Sequence, residues 1–378
     1  CMFKKIITGV KPTGSSMHLG NLKGAVLPFQ KNAEWNDAAI FIADLHALTS
    51  VKDGAKLREQ SLEVAIEYLS IFGVDTPITI FRQSDIVDIT KLMWILTNVT
   101  PYALMLRAHS FKDIEQKVEK VEKDIAFNEW KLSLYSNTEI FKDDEKAKGS
   151  EEKIAQLRQE LDELEKEWEN KMNMGVFNYP ILMAADIIGY DIDAVPVGKD
   201  QLQHLEMTRD IARGFNKFYG KNVFTEPEAI IEESVSTLSG VDGRKMSKSY
   251  DNFIGIFDDE KKLKKRVMSI VTDSAGVDEV KDPDSCNIFA LIRVFGTDEE
   301  VETIYQKYLT PNIGFGYGHA KKALLEILTR YLAPYRATRE KLLQDIPFVE
   351  AKLAEWAKIM NARLEAKMKV VREVVGVN

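Results

Sequence analysis

Short apolar runs and longer amphipathic stretches alternate through the first hundred residues. Ile6-Ile7-Thr8, Ala39-Ile40-Phe41-Ile42-Ala43 and Ile78-Thr79-Ile80-Phe81 are brief and rich in β-branched and aromatic side chains, which predicts buried strands. Between them, 22–35 and 55–72 place apolar residues at helical spacing. This alternation predicts an α/β fold with a Rossmann-type parallel sheet, whose ligands sit beyond the carboxyl ends of the strands. The exit of the first strand and the Asp44-Leu45-His46 turn both fall at such ends. The α/β pattern resumes near Phe177 and continues through Ala194-Val195-Pro196-Val197. Beyond Ile256 strands cease. Helices are expected at roughly 258–272, 286–295, 298–308, 319–342 and 347–374, divided by Pro283, Pro311 and the Gly314–Gly318 loop, with Pro347 in the first turn of the last.

Residues 112–172 break the alternation. Ile114, Val118, Val121 and Ile125, then Ile154, Leu157, Leu161, Leu164 and Trp168, recur at steps of three and four, as the seams of two helices do. Asp143-Asp144, Gly149 and Ser150 lie between them and suit the bend of an antiparallel hairpin. The expected division is a catalytic α/β unit in two halves, 2–111 and 173–255, interrupted by the hairpin at 112–172. A helical unit over 256–346 and a final helix over 347–378, packed back on the α/β unit, complete it. The hairpin reads either as an arm that touches a partner or as a surface insertion, and its acidity favours the second.

A chain of 378 residues exceeds one average domain, in keeping with two packed units. No apolar run approaches the ~20 residues that span a bilayer, and no secretory core follows Met2, so a cytoplasmic protein without a membrane partner is expected. Cys1, ahead of Met2, reads as an addition before the natural start. With Cys286 as its only fellow, it supports neither a disulfide framework nor a thiolate metal site. Net charge is −8, of which the 12 basic and 18 acidic residues of Lys112–Lys171 contribute −6. The near-neutral remainder leaves room for a local basic stripe that meets RNA.

Two separated segments carry the chemistry. Gly9-Val10-Lys11-Pro12-Thr13-Gly14 leaves the first strand, and Met17-His18-Leu19-Gly20-Asn21 opens a helix. A strand, a glycine-bearing turn and a helix start present backbone N–H groups and a positive dipole end to a phosphate. His18 by itself would read as a capping or packing residue. With Asn21 three positions on and Gly14 and Gly20 alongside, a nucleotide site is the better reading. Far downstream, Lys245-Met246-Ser247-Lys248-Ser249 follows the Val241-Asp242-Gly243 turn. Its two ammonium groups suit a leaving polyphosphate whose charge grows in the transition state. A mobile loop would let them reach the triphosphate only as it reacts. His109, His204 and His319 lack metal-ligand spacing, and His204 sits on a helical face that could simply pack.

Together these segments resemble the two signatures of the class I aminoacyl-tRNA synthetases. Ala43-Asp44-Leu45-His46-Ala47-Leu48-Thr49, Leu182-Met183-Ala184-Ala185-Asp186-Ile187 and Val195–Glu206 resemble the tryptophanyl-tRNA synthetases in particular. Val271-Thr272-Asp273-Ser274 and Gly316-Tyr317-Gly318 extend the likeness along almost the whole chain, 112–172 excepted. The resemblance implies ATP, carried with Mg²⁺, as cosubstrate, no protein metal cage, and L-tryptophan and its tRNA as the other substrates. It implies a homodimer, to which Ile89–Leu96 would contribute, and an anticodon-reading helical unit.

Residue roles follow from the same likeness. Lys245 and Lys248 would be catalytic, with His18 and Asn21. ATP would meet Gly9, Lys11, Pro12, Thr13, Gly20, Gly198, Lys199, Asp200, Thr237, Met246, Ser247, Ser249 and Lys112. Lys11 stands where relatives often have Gln, His18 where many have Thr, and Ile114 where a second lysine is usual. Tryptophan would meet His46, Tyr179, Met183, Asp186, Ile187 and Gln201. Asp186 would accept the indole N–H and Met183 would lie against the ring. Related tyrosine enzymes usually carry Gln at the Met183 position. A tyrosine ligase, a small nucleotidylyltransferase and a non-enzymatic RNA-binding relative stay open as alternatives. The length, the lysine loop and Asp186 weigh against the last two.

Overall fold

The structure is a computed structural model that describes residues 4–14, 16–107, 112–137, 143–171, 173–198, 201–231 and 238–377. Five parallel strands form one sheet: β1 (Lys5–Val10), β2 (Asp37–Ile42), β3 (Thr79–Arg82), β4 (Ala194–Val197) and β5 (Glu228–Ile231), in the order β3-β2-β1-β4-β5. In β2, Ala38 through Ile42 are buried on both faces, as a sheet covered by helices on both sides requires. β5 has no counterpart in the sequence reading. It is four residues long and exposed at both ends, and its short apolar run, Ala229-Ile230-Ile231, lies between acidic residues.

The chain steps outward from β1 through β2 to β3 and then returns to place β4 on the other side of β1. The carboxyl ends of β1 and β4 therefore flank the topological switch point, where a crevice opens in folds of this kind. Here it is widened by proline. The registered β1–β4 pair is Ile6↔Ala194, and Pro196, two residues on, has no N–H with which to continue the ladder.

Helical structure runs from Leu19 to Ala33, with a π turn over Leu22–Val26 in which the Leu27 N–H bonds the Leu22 carbonyl. Pro28 follows, and its missing N–H relaxes the ordinary helical register. The helix Gly54–Phe72 crosses from β2 to β3, capped by Asp53, whose carboxylate accepts from the N–H groups of Ala55 and Lys56.

The hairpin comprises Lys112–Asn137 and Asp144–Lys171. The expected bend at Gly149 and Ser150 is corrected: both lie inside the second helix, which Asp143 caps by accepting from the Lys146 N–H at 3.0 Å. One glycine costs a helix about 1 kcal/mol. Burial of Ile154 and Leu157 against Val121 returns more than that, at roughly 1.5–3 kcal/mol per side chain.

Past Ile256 the chain is helical: Glu260–Met268, Asn287–Phe295, Asp298–Leu309, Tyr317–Gln344 and Ile346–Val375. The last helix lies along the α/β half. Arg82 forks onto Glu350 at 3.1 and 2.5 Å, the Asn361 carboxamide accepts from the Val87 N–H at 2.8 Å, and Arg372 reaches Asp88 at 3.1 Å. Among the described residues no helix is long and apolar enough to cross a membrane.

Candidate active site

Two cavities meet at the switch point. One, of about 320 Å³, is lined among others by Lys11, Thr13, Asn21, Glu67 and Lys248. The other, of about 550 Å³, is lined by His46, Tyr179, Met183, Ile187, Gln201 and His204 among others. Thr8, Gly9, Lys11, Pro196, Val197 and Gly198 line both, so the ends of β1 and β4 form a shared wall. The first chamber sets Lys11, Lys248 and several hydrogen-bonding groups on a partly apolar lining. The other is mostly apolar, with polar groups at intervals, as a site for an aromatic amino acid requires.

The first chamber is assembled by a long-range pairing. The Leu19 N–H donates to the Ile254 carbonyl and the Ile256 N–H to the Met17 carbonyl, each at 3.0 Å. This antiparallel bridge, centred on His18 and Gly255, sets the segment after the lysine loop beside the helix start. His18 and Asn21 cap each other: the Asn21 N–H donates to His18 Nδ1, and the His18 N–H to Asn21 Oδ1, both at 3.2 Å. Asn21 lines the cavity, whereas His18 is buried behind it and packs near Phe253. Burial, helped by the Lys248 charge, pushes the His18 pKa down to about 4. The ring is thus neutral near pH 7, and its bonded Nδ1 leaves the proton on Nε2.

That shift makes a stability prediction. The unfolded imidazole takes up a proton near pH 6.5 and the folded one only near 4, so His18 withdraws stability as pH falls through that window. The full effect is about 3 kcal/mol, and about half that after solvent screening. Urea unfolding of wild type and His18→Asn at pH 7 and pH 4.5 should show the smaller acid loss in the variant. Equal losses would remove His18 from the account.

Within the lysine loop, Lys248 alone reaches the chamber wall. Lys245 is exposed, its backbone bridged to Ser239, and Ser249 is exposed as well. Met246 is buried, and its N–H donates to the Leu238 carbonyl at 2.9 Å. Ser247 accepts from the Ser249 N–H. Gly9, expected at a phosphate turn, lies within β1, where a Cβ would meet the Phe41 ring at 2.4 Å. Pro12 is buried and Gly20 packs against the His18 ring. Lys199, Asp200 and Thr237 lie outside the described residues, as does the Lys112 side chain.

Sequence reasoning missed the residue that shapes this loop. Asn252, almost fully buried, donates to Asp242 Oδ1 at 2.7 Å and the Lys245 carbonyl at 3.0 Å, and accepts from the Ser247 N–H at 2.8 Å. Its role depends on the loop having folded around it, so no local pattern announces it.

In the second chamber, Asp186 is 2% exposed and is not one of the lining residues. Its Oδ2 accepts from Gln83 Nε2 at 2.6 Å and lies 3.1 Å from His46 Nε2. Burial raises the Asp186 pKa, against the opposing pull of His46 and Gln83. Gln83, fully buried after β3, also accepts from the His46 N–H at 3.3 Å. Tyr179 sits edge-on to His46, and its hydroxyl is 2.9 Å from His204 Nε2. His204 therefore belongs to the chamber wall. Its position three residues beyond Gln201, at the start of one helix, was the available signal.

The family model described as tRNA synthetases class I (W and Y) matches residues 3–131 and 147–333. Tryptophan–tRNA ligase of Fusobacterium nucleatum is 38% identical over 374 residues, 99% of this chain and 98% of that one. The chain belongs to this family. Tryptophan–tRNA ligase of Campylobacter jejuni is 36% identical over 376 residues, 98% of this chain and 99% of that protein. The crystal structure of a Campylobacter jejuni tryptophanyl-tRNA synthetase complexed with ADP and tryptophan superimposes with a TM-score of 0.79 at 35% identity, covering 99% of this chain and 100% of that one. A tyrosyl-tRNA synthetase of Aeropyrum pernix, 17% identical with a TM-score of 0.53, shares the fold. Residues of two segments more than two hundred positions apart, Lys11 and Asn21 from the first and Lys248 from the second, thus line one chamber of this chain.

Proposed function

We propose that this synthetase joins L-tryptophan to its tRNA in two steps, through tryptophanyl-adenylate, with release of pyrophosphate and then AMP. The observation that carries this reading is the shared wall. Thr8, Gly9, Lys11, Pro196, Val197 and Gly198 border both a chamber with Lys248 and a chamber with Met183, so the α-phosphate and the amino-acid carboxylate would meet there. The carboxylate is already ionised. In-line attack on the α-phosphorus therefore needs alignment and charge stabilisation more than a general base. ATP enters as its Mg²⁺ complex, its phosphates directed toward Lys11, Asn21 and Lys248, with Lys245 joining as the loop moves. In the second step a terminal hydroxyl of the tRNA attacks the acyl carbon and expels AMP.

On the amino-acid side, Met183 and Ile187 offer the ring an apolar wall. Asp186, set just behind the lining beside Gln83 and His46, would accept the indole N–H. Tyr179 and Gln201 orient the ammonium and carboxylate. Indole presents one donor and no acceptor, so a single carboxylate behind an apolar wall matches it better than it matches a phenol.

The helical unit over 256–346 would read the anticodon. The synthetase would act as a cytoplasmic homodimer, with the helix Ile89–Thr97 and its exposed Trp94 at the interface. ATP–pyrophosphate exchange tests the central reading: tryptophan should support it and tyrosine should not. Exchange with tyrosine, or with neither amino acid, would overturn it.

A further inference from the structure

A buried carboxylate faces the cation-lined chamber. Glu67, on the helix Gly54–Phe72, is 2% exposed, yet it lines the same cavity as Lys11, Asn21 and Lys248. Its Oε1 accepts from Ser16 Oγ at 2.5 Å, and its two oxygens accept from the Met17 N–H at 3.2 and 3.3 Å. One turn earlier Glu63 pairs with Arg339 of the helix Tyr317–Gln344, so the element that carries Glu67 is tied down on its other side. A negative charge beside the anionic phosphates of ATP weakens its binding. Hydrogen bonding to Ser16 and Met17 alone does not call for a charge there, since a carboxamide oxygen could accept both bonds.

Resting on the tryptophan-ligase reading, we propose that Glu67 is a positioning residue whose charge draws the Lys248 ammonium toward its side of the chamber before ATP binds. ATP then gains the full attraction of Lys248 only when charge moves onto the departing pyrophosphate. Lys248 and Glu67 line one cavity, and His18 lies buried behind it. Burial raises the Glu67 pKa and lowers that of His18, and the Lys248 charge pulls both downward. Glu67 in turn favours the charged ammonium against the desolvation it suffers in the chamber. An interaction that the ground state must break and the transition state replaces diverts binding energy from KM into kcat.

The test is exchange kinetics of the full chain with Glu67→Gln, which removes the charge and keeps one oxygen that can accept from both Ser16 and Met17. Both KM for ATP and kcat are expected to fall roughly 3- to 10-fold, the pattern of lost ground-state strain. In a Lys248→Ala background the same change should move KM for ATP less than about twofold. An unchanged or raised KM, or an equal shift in both backgrounds, would overturn the proposal. Should Glu67→Gln not fold, Glu67→Asp draws the carboxylate back by one methylene and should lower KM in the same direction; no change would count equally against it. Wild-type exchange with tryptophan tests the ligase reading separately. If that exchange is absent, calorimetry of a non-hydrolysable ATP analogue with wild type and Glu67→Gln still decides: tighter binding by the variant supports the proposal, and equal or weaker binding overturns it.

Discussion

Replacing Lys248 with alanine should slow tryptophan-dependent ATP–pyrophosphate exchange by at least roughly tenfold, with little change in tryptophan affinity. The expectation follows from its position. Lys248 lines the same chamber as Asn21 and Lys11, while Lys245 is exposed. A preorganised ammonium aimed at growing charge is worth several kcal/mol in a partly desolvated site, so a tenfold loss, about 1.4 kcal/mol, is a lower bound. Lys245→Ala should cost less than Lys248→Ala, because Lys245 stands off the chamber wall and joins only as the loop moves. Single-turnover formation of labelled adenylate separates the two variants. A Lys248→Ala rate equal to wild type would take the loop out of the mechanism.

The second large effect is expected at Asp186. Its replacement by alanine leaves Gln83 Nε2 without its buried acceptor, deprives His46 Nε2 of its neighbour, and removes the acceptor proposed for the indole N–H. Each unpaired buried group costs about 1–3 kcal/mol. One such group charged to the complex weakens tryptophan binding roughly 5- to 150-fold. Equilibrium binding of tryptophan, followed by calorimetry in the absence of ATP, measures this directly. Unaltered affinity in a folded variant would refute the pocket assignment. Asp186→Asn adds a finer reading, because a carboxamide retains an acceptor oxygen while losing the charge. An intermediate loss would assign part of the effect to charge.

How much of this was legible beforehand varies with the range of the interactions. Lys5–Val10, Asp37–Ile42 and Thr79–Arg82 announce themselves because burial on both faces demands an unbroken apolar run. The long C-terminal helices show in their spacing and prolines. Glu228–Ile231 does not show, since its three apolar residues stand among glutamates, as a partly exposed edge strand permits. Gly149 and Ser150 misled because turn composition is a local signal, and the packed seam of the hairpin outweighed it.

The site divides the same way. Sequence alone determined the chemical inventory: two signatures with the right residue types, and Met183 and Asp186 three apart on one helix. Such motifs are contiguous, and their side-chain chemistry can be read without coordinates. Only the tertiary structure decided who faces whom. It set Lys248 rather than Lys245 on the chamber wall, buried His18 behind its own cap, and placed Asp186 behind His46. It also recruited Gln83, Asn252 and Glu67 from segments that carry no motif, and brought His204 to the chamber wall. The reason is physical: a cavity is bounded by side chains brought together across strands and crossovers. Which atoms line it depends on packing and on hydrogen bonds already spent elsewhere, and neither is encoded at fixed spacing along the chain.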